Sequence, residues 1–91
     1  MKELRVKVMT ETGLHARPAS LVVNAVAKFK CKVTVEKQGK EANLQSLLGL
    51  LSLGVVKGDE IAIKADGKDE AAVIEALLEC NKANQLWEEL N

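Results

Sequence analysis

His15 is the only histidine of the chain and stands in the run Gly13-Leu14-His15-Ala16-Arg17-Pro18-Ala19, where a loop gives way to a helical pattern. Neutral imidazole is a nucleophile that works near neutral pH. If His15 is the N-cap, Ala16 and Arg17 carry backbone N–H groups with no acceptor inside the helix. Pro18 falls in the first turn, where its missing N–H removes nothing the helix needs. Such amides at the positive end of a helix dipole suit an anion, and the Arg17 guanidinium can take two oxygens of one phosphate at once. The chemistry this favours is a phosphoryl group on the imidazole. On residue types alone, a lone histidine before a helix is more often a cap or a surface residue than a catalyst. No acid, base or metal-ligand cluster accompanies His15 in the sequence, which argues against a self-sufficient enzyme and for a carrier that lends its histidine to others.

A second segment with chemistry is Ser46-Leu47-Leu48-Gly49-Leu50-Leu51-Ser52-Leu53-Gly54. Ser46 precedes an apolar run and is a natural N-cap. That role alone accounts for a serine here, and it is compatible with modification, because a phosphate at a helix N-terminus meets favourable amides. On a helical wheel Leu47, Leu48 and Leu51 cluster on one side, roughly opposite Leu50 and Leu53. Either all five leucines are core, or Leu47, Leu48 and Leu51 form an exposed docking patch. Leu21, which falls off the core face of its own helix, fits the second alternative.

These residues need a scaffold, and the sequence describes one. Its 91 residues make one domain, with 47% hydrophobic and 29% charged residues, an ordinary globular mix. Thirteen basic residues balance thirteen acidic ones, so no broad basic face for nucleic acid is expected. The start alternates charged and apolar residues, unlike a signal peptide, and the Leu47–Val56 run is too short to span a bilayer as a helix. Cys31 and Cys80 lie far apart without metal-ligand spacing, and read as small buried hydrophobes with free thiols in a reducing cytoplasm.

Residues 3–9 alternate as a half-buried strand, with Leu4, Val6 and Val8 on one side. Residues 10–14 form a loop, and 16–28 a helix whose core face is Ala19, Val22, Val23 and Val26. Residues 32–37 alternate again, and Gln38-Gly39 turns into a short strand at 40–43. Residues 46–53 form a short apolar helix stopped by Gly54. Ile61 and Ile63 mark a last strand that Gly67 breaks. Asp69-Glu70 opens a long helix running toward Leu90, with Trp87 a packing extension of it. The order is βαββαβα: an α+β open-faced β-sandwich, a four-stranded antiparallel sheet with three helices on one face.

The heptapeptide at 13–19 resembles the phosphorylation-site signature of HPr, the histidine-containing phosphocarrier family of the sugar phosphotransferase system. The 46–54 segment is similar to the regulatory serine segment of HPr from Gram-positive bacteria, at the family's distance from His15. The resemblance covers nearly all of residues 1–91 and implies the same fold. It implies a cytoplasmic monomer whose His15 is phosphorylated on Nδ1 by enzyme I, drawing on phosphoenolpyruvate, and passes the phosphoryl group to IIA domains of sugar permeases. Arg17, with the Ala16 and Arg17 amides, would steady the phosphate, and the protein itself would need no cofactor or metal. Ser46 would be the regulatory site for an HPr kinase/phosphorylase, with a catabolite regulator as a further partner. Thr12, Ser20, Leu21, Asn24, Leu47, Leu48 and Leu51 would form the partner-binding surface. Many relatives carry Ile-Met at 47 and 48 and Met at 51, where this chain has leucines. The alternatives are a nitrogen-branch carrier, an HPr-like regulator and a plain interaction domain. The Ser46 segment favours the sugar branch over the first, and the retained histidine argues against the second.

Overall fold

The computed structural model describes residues 1–90. Its elements in chain order are β1 (Lys2–Val8), α1 (Ala16–Val26), β2 (Cys31–Lys37), β3 (Lys40–Asn43), α2 (Leu47–Ser52), β4 (Glu60–Gly67), α3 (Glu70–Asn84) and β5 (Trp87–Glu89). The sheet is antiparallel throughout, in the order β3-β2-β4-β1-β5. Three helices on an antiparallel sheet is the α+β architecture that the periodicities imply.

Strand alternation decides which face is dry. Leu4, Val6 and Val8 of β1, Val33 and Val35 of β2, and Ile61, Ile63 and Ala65 of β4 are buried, and the residues between them face water or are half-buried. The registers place these side chains opposite one another, Leu4 across from Ile63, Val6 from Ile61, and Val35 from Ile63. Slipping any strand by one residue would turn its apolar set to solvent, so the pattern fixes the register. On the other face, Lys64 meets Glu36 at 3.3 Å. Ala19, Val22, Val23 and Val26 of α1, Leu50 of α2, and Val73 and Leu77 of α3 close the core from above.

The sheet has five strands, not four, and the last helix is shorter than its periodicity suggests. α3 ends at Asn84, because Gln85 takes the left-handed conformation (φ 52°) and its N–H returns to the Asn81 carbonyl. The Asn81 side chain then accepts from the N–H groups of Leu86 and Trp87, at 2.7 and 2.8 Å. The outer edge of β1 offers backbone groups that a helix could not use, and β5 takes them, with Trp87 opposite Val8 and Glu89 opposite Val6. Leu86 and Trp87 are thereby buried, 1% and 5% exposed, as strand-end residues rather than as a helical extension. Cys31 and Cys80 are free thiols, half-buried rather than buried, and burial raises both thiols above their ordinary values.

Candidate functional site

The loop from Thr10 to Leu14 carries His15 and is pinned at several points. The Gly13 N–H donates to the Thr10 carbonyl at 3.0 Å, and the Thr10 hydroxyl donates back to the Gly13 carbonyl at 2.6 Å. Leu14 is fully buried, and its N–H donates to the Val55 carbonyl at 3.1 Å. Gly13 sits at φ +64°, and a Cβ there would lie 2.2 Å from the Val55 oxygen. Only glycine allows both that conformation and that approach.

His15 follows as the N-cap of α1, with extended backbone (φ −128°, ψ 160°) and no side-chain hydrogen bond to the helix. Its imidazole is half-buried and is not used as a cap. Ala16 opens α1 at φ +54°, the left-handed region, where a residue with a Cβ costs about 1–2 kcal/mol. Alanine carries the smallest side chain that can be placed there besides glycine. Arg17 is exposed and, among the described residues, takes part in no ion pair. The first N–H groups of α1, which His15 precedes as N-cap, come before its i→i−4 ladder and have no acceptor within it. Four shallow concavities at the surface are lined by residues of the strands and their adjoining turns or by Glu75–Glu79 of α3, and His15 lines none of these four. Among the described residues there is no cluster of metal-ligating side chains.

Ser46 caps α2 as its position suggests. Its Oγ accepts the Gly49 N–H at 3.2 Å, and its carbonyl accepts the Leu50 N–H at 3.0 Å. A Cβ on Gly49 would lie 2.9 Å from the Asn43 oxygen, so the glycine lets α2 sit close over the turn. Leu50 is fully buried, Leu48 is 81% exposed, Leu47 is 40% exposed, and Leu51 is half-buried against the core. The wheel thus separates inside from outside, with Leu51 at the boundary. On α1, which packs against α2, Ser20 and Leu21 are half-buried and Asn24 is exposed; Thr12 is exposed in the His15 loop.

Sequence reasoning missed the support beneath the His15 loop, the turn at 54–59. There the Lys37 ammonium meets Asp59 Oδ2 at 2.8 Å and donates to the Gly54 carbonyl at 2.8 Å. The same Asp59 oxygen accepts the Val56 N–H at 2.8 Å. These partners, Lys37 foremost, hold the Asp59 carboxyl below its ordinary value. The signal available in the sequence was the Lys57-Gly58-Asp59 turn, but nothing in it paired Asp59 with a lysine on β2.

Comparison with known proteins follows the same lines. Residues 2–83 match the family model described as the PTS HPr component phosphorylation site. The solved structure of the histidine-containing phosphocarrier protein of Mycoplasma is 30% identical, with a TM-score of 0.90 over 96% of this chain and 99% of that one. HPr-C-His from Thermoanaerobacter tengcongensis is 41% identical, with a TM-score of 0.86 over 91% and 93% of the two chains. Crh, the catabolite repression containing protein of Bacillus subtilis, is also 41% identical, with a TM-score of 0.69 over 86% and 90%.

Proposed function

Because the chain belongs to the HPr family, a component of the phosphotransferase system, we propose that it is a stoichiometric phosphoryl carrier whose His15 accepts a phosphoryl group from phospho-enzyme I and delivers it to IIA domains of sugar permeases. The observation that carries this reading is His15 itself: an N-cap histidine that makes no cap hydrogen bond, two residues before Arg17, which is exposed and, among the described residues, in no ion pair. The helix amides and the guanidinium complement a phosphate on the ring. Residues 1–91 act as one domain of this kind in the cytoplasm, and no helix among the described residues is long and apolar enough to cross a membrane. Incubation with enzyme I and phosphoenolpyruvate should place one acid-labile phosphate on the chain. Label that survives His15→Ala would sink the assignment.

Ser46 is the second site in this reading. Its hydroxyl already occupies the N-cap of α2, so a phosphate added by an HPr kinase/phosphorylase meets helix amides and leaves the fold intact. It would place roughly two negative charges beside the exposed Leu47 and Leu48. Against an apolar partner surface that charge is costly to desolvate, which gives Ser46 control over docking. The likeness to Crh, named for catabolite repression, supports a regulatory role. The retained His15 favours the carrier over a regulator alone.

A further inference from the structure

The turn at 54–59 holds one peptide plane against the His15 loop, and the Asp59 side chain, itself paired with Lys37, holds that plane. The Val55 carbonyl and the Val56 N–H belong to the same trans peptide and so point in opposite directions. The carbonyl accepts the Leu14 N–H at 3.1 Å, one residue before His15. The N–H on the other side is held by Asp59 Oδ2 at 2.8 Å. One peptide earlier, the Gly54 carbonyl is held by the Lys37 ammonium at 2.8 Å, and Lys37 and Asp59 are joined at 2.8 Å.

Both charged side chains are largely shielded, 17% and 20% exposed. Hydrogen bonds to charged groups in such surroundings are shorter and stronger than neutral ones. The bracket spans the end of β2 and the start of β4, elements hydrogen-bonded to each other over Cys31–Glu36 and Ala62–Gly67. It therefore ties the turn to rigid sheet. The Val55 oxygen is also where Gly13 presses closest, since a Cβ on Gly13 would stand 2.2 Å from it. Rotation of the 55–56 peptide would remove the Leu14 acceptor and the surface on which Gly13 rests.

The geometry points to Lys37 and Asp59 as positioning residues for phosphoryl transfer at His15, acting through the Val55–Val56 peptide and the Leu14 amide. This rests on the carrier reading of His15. Neither residue touches the phosphate. Both set where the imidazole stands at the start of α1, and transfer between proteins is sensitive to such placement.

Asp59→Asn keeps an oxygen acceptor for the Val56 N–H, whereas Asp59→Ala removes it. Steady-state transfer from enzyme I with the whole chain as substrate, at a temperature where each variant is folded, should show Asp59→Ala lowering kcat about tenfold at nearly unchanged KM. Asp59→Asn should retain most of kcat, although both variants lose the ion pair and melt earlier. Amide hydrogen exchange should speed up at Leu14 in Asp59→Ala and stay near the wild-type rate in Asp59→Asn. Should Asp59→Ala fail to fold, Lys37→Met carries the test, with an expected loss of about threefold in kcat and faster exchange at Leu14. Wild-type kcat in folded Asp59→Ala, or Asp59→Asn slowed as far as Asp59→Ala, overturns the inference. A wild-type chain that takes no label on His15 sinks the carrier reading instead, and the Leu14 exchange rates then still decide whether the bracket holds the loop.

Discussion

Between Thr10 and Arg17 the backbone enters the left-handed region at Gly13 and at Ala16, for different reasons. At Gly13 the requirement is both conformational and steric. Gly13→Ala should therefore destabilise the protein by about 2–4 kcal/mol, and thermal unfolding checks it. At Ala16 the strained residue adjoins the nucleophile. Ala16→Gly should relieve that strain and hold or slightly raise the unfolding midpoint. Arg17→Ala should leave the midpoint within about 0.5 kcal/mol, since the side chain is exposed and unpaired, and slow transfer to His15 by about 10- to 100-fold. Lysine there should rescue only partly, because a point charge lacks the planar fork. Equal transfer rates for wild type and Arg17→Ala would remove Arg17 from the site. That His15 and Arg17 stand where a loop gives way to a helix was legible in the residue types, whereas the demand on Gly13 was not, because the Val55 carbonyl it rests on is distant in sequence. The positive φ of Ala16 was not, because alanine before a helix carries no mark of it.

The strands and the first two helices follow from period-2 and period-3.6 patterns that nothing opposes, and their observed bounds differ from the expected ones by only a residue or two. The C-terminal segment shows where such reading fails. Asn84-Gln85 stops α3 without glycine or proline, and Trp87-Glu88-Glu89 reads equally well as helix. What decides is tertiary: the unpaired edge of β1 and the Asn81 side chain that turns the chain toward it. Removing residues 85–91 should lower the unfolding midpoint and leave the β1 edge exposed. The truncated chain should self-associate more than the intact one in sedimentation; an unchanged sedimentation profile would mean that β5 does not guard that edge. On α2 the Ser46 cap is a local device. Ser46→Ala should cost about 1 kcal/mol. Ser46→Asp keeps an acceptor for the Gly49 N–H, so its midpoint should stay near the wild-type value while transfer from enzyme I falls. A Ser46→Asp variant that transfers at the wild-type rate would leave Ser46 as a cap alone.

At the scale of the whole molecule the formal charge is zero, so recognition rests on local geometry and stability depends on individual groups. Asp59 and the more exposed Glu70 are carboxylates with lowered values. Lys37 and the Val56 N–H act on Asp59, and the N-terminal ammonium and the Gly67 N–H act on Glu70. At acid pH the unfolded chain binds more protons than the folded one, so stability rises with pH there. Their contribution is complete above the ordinary values of 3.8 and 4.5, and it is lost as pH falls through the lowered folded values. At the other end the half-buried Cys80 is raised by burial, so its contribution is complete below its ordinary value of 9.0 and is lost as pH rises through the folded one. The unfolding midpoint should therefore be flat from about pH 5 to 8 and decline on both sides. Asp59→Asn should start lower on the plateau and lose less in acid, because it no longer carries the group whose protonation breaks the bracket. Converging curves of wild type and Asp59→Asn below pH 4 would match this account. Parallel curves over the whole range would show that Asp59 has the same proton affinity folded and unfolded, and that the Lys37 bracket adds nothing to the stability of the fold.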